Sequence, residues 1–178
     1  MPKDERLAKL RFPISEVGYW SKRYDYPPDT TVADLATKVR AQGFLTHAQL
    51  MDVVNWKAPR SRRHAARANP NLVVEATRIM FSTPHEELRI GVPSLILGVG
   101  TPMASVLLHF FHADPYPIID YRALWSLSLE QTYAYYTFGA WWSYVEACRT
   151  LSAQAGVDMR TLDRALWQFS NEHQPSAG

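Results

Sequence analysis

Apolar residues recur at helical spacing along most of the chain, and residues that favour helix ends separate the apolar runs. Within a run they stand at positions such as i, i+3, i+4 and i+7, on one face of a helix. The predicted helices cover 30–43, 46–57, 69–80, a short segment from Thr83, 101–112, 120–127, 130–151 and a last segment around 162–169. No stretch alternates apolar and polar residues as a strand does, so the predicted fold class is all-α.

The two ends of the chain lack this spacing. Residues 11–30 are rich in aromatic side chains and contain Pro27-Pro28, which favours an extended arm held to the body by its aromatic rings. The last residues are polar and are expected to fray. The predicted organisation is an N-terminal aromatic arm (1–30), a single helical domain (31–170) and a flexible C-terminal tail (171–178).

Composition and charge restrict the possible functions. The chain of 178 residues is 47% apolar and 20% charged, as in a globular domain, and its net charge is only +2. Nucleic-acid binding would therefore depend on where the cations lie. The single Cys148 excludes an internal disulfide and a cysteine-ligated cluster. With no secretory signal and no apolar run of membrane-spanning length, we expect a cytoplasmic protein without a membrane partner.

The segment Leu97-Gly98-Val99-Gly100, followed by Thr101-Pro102, has the composition of a hairpin between two helices. We expect an apolar helix to end before the glycines and a new helix to begin at Thr101. The glycines would allow backbone angles closed to other residues, and Val99 would fill the space between the helices. Free amides at the start of the second helix could hold a phosphate. Taken alone, the segment fits an ordinary turn between helices equally well.

Basic residues concentrate in the segment that follows the second predicted helix. No acid stands between Asp52 and Glu75, and the cations of this stretch lie within eleven residues: Lys57, Arg60, Arg62, Arg63 and Arg67, with His64 among them. Such a cluster on a nearly neutral protein could contact phosphates in a salt-dependent way. The alternative is a solvated loop between two helices.

Downstream of the hairpin, a proline-rich loop leads to Ile118-Ile119-Asp120, and twenty residues separate Gly100 from Asp120. Together with the hairpin, this order resembles the helix-hairpin-helix superfamily of DNA glycosylases, with an endonuclease III-like fold. The resemblance covers residues 92–127 and reaches back more faintly to Thr46. It implies a two-lobed helical bundle, duplex DNA as the partner, and a cleft that receives a flipped damaged or mispaired base.

The resemblance also implies a role for each matching residue. Asp120 would be the catalytic carboxylate, which stabilises positive charge on the sugar or activates water. Its alternative role is that of a helix cap without catalysis. Contacts to the DNA backbone are expected from Gly98, Val99, Gly100, Thr101, Lys57, Arg60, Arg62 and Arg63. Aromatic and basic candidates for a base pocket are Trp56, Tyr121, Arg122 and Trp125, although Trp125 could simply pack against the helix predicted at 130–151.

Two departures from the family pattern narrow the expected chemistry. Pro102 stands where strand-cutting members carry a lysine, and the cysteine cluster is absent, as in a bacterial branch that shares the stretch Arg122–Ser126. We therefore expect a monofunctional N-glycosylase that has no lyase activity and needs neither a metal nor a cofactor. A monomer is the favoured oligomeric state. His109 and His112 have i, i+3 spacing, but no third metal ligand is identifiable. A non-catalytic helix-hairpin-helix DNA-binding module and a protein–protein adaptor are the alternatives.

Overall fold

The structure is a computed structural model that describes residues 8–129 and 136–175. Within these ranges the chain is helical and contains no strand, which confirms the predicted all-α class. Its contacts divide the chain into two compact units. One unit is Tyr26–Tyr116, and the other joins Met1–Asp25 to Pro117–Gly178, whereas the sequence prediction grouped residues 31–170.

The helices found in the described residues are α1 (Val17–Lys22), α2 (Thr30–Gln42), α3 (His47–Lys57), α4 (Arg62–Ala65), α5 (Pro70–Ser82), α6 (Glu86–Gly91), α7 (Thr101–Phe111), α8 (Tyr121–Ser126), α9 (Phe138–Ala155) and α10 (Met159–His173). Short 3₁₀ segments lie at Ile14–Glu16, Pro59–Ser61 and Val92–Leu95. None of the helices in the described ranges combines the length and the apolar character needed to cross a membrane.

Local side chains explain where the helices of Tyr26–Tyr116 begin and end. The Thr46 hydroxyl oxygen accepts a hydrogen bond from the Gln49 backbone amide, and the Gln49 side-chain oxygen accepts one from the Thr46 backbone amide, which forms a capping box at α3. The Asn69 side chain caps α5, which begins with Pro70. Gly43 ends α2 with a left-handed φ of 76°. These predicted helix boundaries are confirmed.

Helix α7 lies in the core of this unit and contacts α2, α3 and α6. It is buried on most of its surface, including Met103, Leu107 and Phe111. Each such side chain contributes about 1.5–3 kcal/mol by leaving water. The hairpin is therefore joined to the best-buried helix of the unit, which holds its backbone in place.

In the other unit, α10 packs against α1 and α8. The face predicted around 162–169 is buried, as expected. Residues 14–22 of the N-terminal arm are helical, so the prediction of an extended segment was wrong there, whereas residues 8–13 and 23–29 are not helical. Phe12 and Trp20 are buried, with ring centroids 4.7 and 5.2 Å from that of Phe169. Six residues are too few to show helical periodicity, but they suffice to place Val17 and Trp20 in the core.

Two further boundaries differ from the predictions. Helix α9 begins at Phe138, where the Thr137 side chain caps it, and not at residue 130; residues 130–135 lie outside the described ranges. The predicted tail is helical up to His173, and Glu172 in this last turn forms an ion pair of 2.9 Å with Arg23. Residues 1–7 of the predicted arm and 176–178 of the predicted tail also lie outside the described ranges.

Candidate nucleic-acid interface

The hairpin is entered through a 3₁₀ segment, not through the apolar α-helix that the sequence predicted. Helix α6 ends at Gly91 and Val92–Leu95 continue as a 3₁₀ turn. Pro93 has no N–H to donate to a continuing α-helix, and the Ile96 amide bonds to the Pro93 carbonyl at 3.0 Å. Val99 is buried, with 5% of its surface exposed, and its amide donates to the Ile96 carbonyl at 3.0 Å.

The two hairpin glycines have different roles. Gly98 has a left-handed φ of 85°, and a Cβ atom placed on it would lie 2.7 Å from the backbone nitrogen of Ala65. Gly100 has an extended conformation (φ −104°, ψ −179°), and a Cβ atom there would meet only the Pro102 Cδ at 3.8 Å. The expectation that both glycines need special backbone angles was therefore wrong for Gly100.

The close approach at Gly98 places the hairpin directly against the basic segment, residues 57–67. Sequence reasoning left this segment without a helix, whereas residues 62–65 form α4. Ala65 is buried beneath the hairpin, and its carbonyl lies 3.1 Å from His47 Nε2. The outward side chains are exposed cations, namely Arg60, Arg62, Arg63 and Arg67, while Lys57 at the end of α3 is half-buried.

Helix α7 begins beside this contact without a side-chain cap. Its N-cap residue is Gly100, which has no side chain to accept a hydrogen bond from the first turn. Pro102 occupies the first turn and has no N–H, and the Ala104 amide bonds to the Gly100 carbonyl at 2.9 Å. Thr101 is half-buried at the helix start. No side chain therefore caps the start of α7, where the helix dipole is positive.

Trp56, one of the base-pocket candidates, contacts a backbone carbonyl and two aromatic rings of the same unit. Its indole Nε1 donates to the Pro27 carbonyl at 3.2 Å. The rings of Tyr26 and Phe110 contact it edge-on, with centroids at 5.5 and 5.4 Å. Trp56 belongs to Tyr26–Tyr116, whereas the other base-pocket candidates belong to the second unit.

Asp120 is the N-cap residue of α8. One of its carboxylate oxygens, Oδ1, accepts the Ala123 amide at 2.9 Å, and the residue remains half-exposed. The preceding segment is anchored by Tyr144, whose hydroxyl donates to the Ile118 carbonyl at 2.7 Å. Burial, followed by the neighbouring Cys148, Asp163 and Asp120, raises the pKa of Tyr144 well above its usual value. The Tyr144 hydroxyl therefore stays protonated and remains a donor.

The three pocket candidates that follow Asp120 differ in accessibility. Tyr121 is 59% exposed. The Arg122 guanidinium carbon lies 5.2 Å from the Tyr121 ring centroid and 5.0 Å from that of Trp167, a residue that sequence reasoning did not select. Trp125 stacks on Phe169 of α10, with ring centroids 5.8 Å apart.

Arg11 also holds Trp125, with its guanidinium carbon 4.5 Å from the ring centroid and its Nε donating to the Trp125 carbonyl at 2.7 Å.

The two histidines with helical spacing have separate partners. His109 Nδ1 lies 2.7 Å from the Tyr116 carbonyl, and His112 Nε2 accepts from Arg89 at 2.6 Å. No three His, Cys, Asp or Glu residues in the described segments are grouped to hold a metal ion.

Comparison of the chain with protein families, with curated proteins and with solved structures finds no match. The resemblance of residues 92–127 to helix-hairpin-helix glycosylases therefore stays an expectation from the sequence.

Proposed function

We propose that the protein binds the phosphate backbone of duplex DNA through the hairpin (residues 97–101) and the basic segment (residues 57–67). The observation that carries this proposal is the close approach of Gly98 to Ala65, which joins the two elements into one surface of Tyr26–Tyr116.

The chemistry of this surface suits phosphate oxygens. Exposed guanidinium groups bind phosphate bidentately, and the uncapped start of α7 adds a positive helix terminus. Such contacts position a protein on DNA without reading its sequence. Binding should therefore be strongly salt-dependent and nearly independent of base sequence.

The test is fluorescence anisotropy of a labelled duplex of arbitrary sequence, titrated with protein at several salt concentrations. Each phosphate contact contributes about 0.9 to the slope of log affinity against log salt. The double substitution Arg62→Gln/Arg63→Gln should lower that slope by about 2 if each residue neutralises one phosphate. The matched control is Lys22→Gln/Lys38→Gln, which removes the same charge from exposed positions outside the surface. Equal losses in both doubles would overturn the proposal.

A second function, base excision, is favoured by the setting of Asp120. Its carboxylate accepts the Ala123 amide, the residue is partly exposed, and Tyr144 anchors the segment before it. We propose that the protein removes a damaged or mispaired base from DNA. The bond between the sugar C1′ and the base nitrogen breaks, water supplies a hydroxyl to C1′ and a proton to the base, and the Asp120 carboxylate stabilises the positive sugar.

The assay incubates duplexes that carry alkylated, deaminated, oxidised or mispaired bases and measures alkali-labile sites. Asp120→Asn is the sharp variant because asparagine also caps helices well but has no charge. We expect it to bind duplex normally and to release no base. Release by Asp120→Asn at the wild-type rate, or no release by the wild type, would remove the catalytic proposal and leave backbone binding intact.

If the wild-type protein shows no salt-dependent binding to DNA, the result would instead favour the alternative function, a protein–protein adaptor. The cytoplasmic location, the monomeric state and the independence from metal and cofactor stay predictions. Gel filtration with light scattering tests the monomer, and retention of base release in a chelator tests independence from metal.

A further inference from the structure

Aromatic rings and guanidinium groups alternate over α8, α10 and the end of the N-terminal segment. The Arg122 guanidinium carbon lies 5.2 Å from the Tyr121 ring centroid and 5.0 Å from the Trp167 ring centroid. The Trp167 ring meets that of Tyr24 edge-on at 5.3 Å, and the Arg160 guanidinium carbon lies 5.2 Å from the Tyr24 centroid. All these residues belong to the unit that does not contain the hairpin.

The cations of this cluster are not equivalent. Arg160 forms an ion pair with Asp163 and donates to the Tyr24 hydroxyl at 3.3 Å, so its charge is compensated. The Arg122 side chain makes neither a hydrogen bond nor an ion pair with any residue in 8–129 or 136–175, and its guanidinium contacts the Tyr121 and Trp167 rings. Arg122 is partly exposed, so these unused donors can reach an external acceptor.

The two rings also restrict the motion of Arg122. A long side chain normally loses rotamer freedom when it binds, and a side chain that is already held loses less. A planar guanidinium in this state suits the bidentate recognition of a phosphate. Tyr121 is 59% exposed, and its hydroxyl has no partner in the described residues. An exposed ring of this kind can stack on a nucleobase.

We propose that Tyr121 and Arg122 form a binding site for an unpaired nucleotide of a nucleic-acid strand, with the base stacked on Tyr121 and its phosphate on Arg122. A base within a duplex is already stacked on both faces, so an unpaired base fits the exposed ring better. Tyr121 and Arg122 directly follow Asp120 and are base-pocket candidates, so this proposal rests on the proposed DNA function and extends it to a strand that is unpaired before it binds. The site shares no residue with the duplex-backbone surface and belongs to the other unit.

The experiment measures the affinity of a short labelled single-stranded oligonucleotide for the intact protein. Loss of stacking in Tyr121→Leu should weaken binding roughly 5- to 150-fold with an unchanged salt slope. Loss of the phosphate contact in Arg122→Gln should weaken binding and lower the slope by about 0.7. Arg122→Lys should restore the slope. Circular dichroism confirms that each variant is folded.

A second tyrosine–arginine pair in the same unit provides the matched control. Tyr19 is 54% exposed and lies 5.5 Å from the Arg23 guanidinium carbon, but Glu172 binds Arg23 through two hydrogen bonds of 2.9 Å. Tyr19→Leu should leave the affinity unchanged. An equal loss in Tyr19→Leu and Tyr121→Leu, or an unchanged salt slope in folded Arg122→Gln, would overturn the proposal.

A nucleoside monophosphate, titrated alone, separates two sources of the same chemistry. Binding of the mononucleotide with no gain for the oligonucleotide would assign the site to a free nucleotide and overturn the strand proposal. The Arg62→Gln/Arg63→Gln protein distinguishes single-strand binding at Tyr121 and Arg122 from duplex binding at the hairpin and the basic segment. We expect it to lose duplex affinity while it keeps the sensitivity of single-strand binding to Tyr121→Leu.

Discussion

Substitution of Gly98 by alanine tests the contact on which the proposed DNA surface depends. The new Cβ atom would meet the Ala65 nitrogen at 2.7 Å, a distance at which backbone must shift. Overpacking of this kind costs about 1–3 kcal/mol. The left-handed φ of 85° adds about 1–2 kcal/mol for a residue with a Cβ atom. Reduced entropy of the unfolded chain returns about 0.4–1 kcal/mol.

Two other glycines separate these contributions. Gly43 has a similar φ of 76°, but a Cβ atom there would meet nothing within 4 Å. Gly43→Ala should therefore show the conformational cost alone, and its difference from Gly98→Ala should be about 1–3 kcal/mol. Gly100→Ala should change stability little, since its backbone is extended and its nearest neighbour is 3.8 Å away.

The assay is chemical unfolding followed by circular dichroism, with the free energy of unfolding taken from the midpoint at a constant slope. We expect the order Gly98→Ala, Gly43→Ala, Gly100→Ala from least to most stable. Under conditions where all three variants are folded, Gly98→Ala should also bind duplex DNA more weakly than Gly100→Ala does. Equal stability of Gly98→Ala and Gly43→Ala would refute the tight contact with Ala65.

Three further substitutions or treatments test the unit that contains Asp120. Tyr144→Phe should lower the free energy of unfolding by about 1–3 kcal/mol, because it leaves the buried Ile118 carbonyl without its donor; thermal unfolding measures the loss. The hydrogen bond from the Thr161 amide lowers the pKa of Asp158. The Asp158 carboxylate therefore stabilises the fold at pH values above its ordinary pKa, and this stabilisation is lost as the pH falls through the lower pKa of the folded protein. Asp158→Asn should make the free energy of unfolding, measured by chemical unfolding at several acidic pH values, fall less steeply with decreasing pH. Burial raises the pKa of Cys148, so a thiol-reactive dye should label it only when the protein unfolds, and labelling of the native protein would contradict its burial.

The sequence was a good guide to helices that carry their own terminal signals. The Thr46 and Asn69 caps mark the starts of α3 and α5, because a local side chain satisfies the free amides there. Helices α1 and α4 were missed for the opposite reason. They span six and four residues, too few for a visible period, and both are stabilised by contacts with distant residues.

The same distinction applies to the candidate sites. The start of α7 after Gly100 and the cap at Asp120 could be predicted locally, and the structure contains both, whereas the α-helix predicted before the glycines is a 3₁₀ segment. The special backbone of Gly98 depends on Ala65, which is distant in sequence, so the sequence could not distinguish it from Gly100. The contact of Arg122 with Trp167 likewise depends on the packing of α10 against α8.

The division of the chain also affects the order in which the protein can fold during synthesis. Tyr26–Tyr116 is continuous, so all of its residues have been made before the second unit is complete. Phe12 and Trp20 are synthesised first but pack against Phe169. At ordinary translation rates these two rings wait on the order of ten seconds for that partner. In this interval the two N-terminal rings lack the partner that buries them, whereas every residue of Tyr26–Tyr116 has already been made.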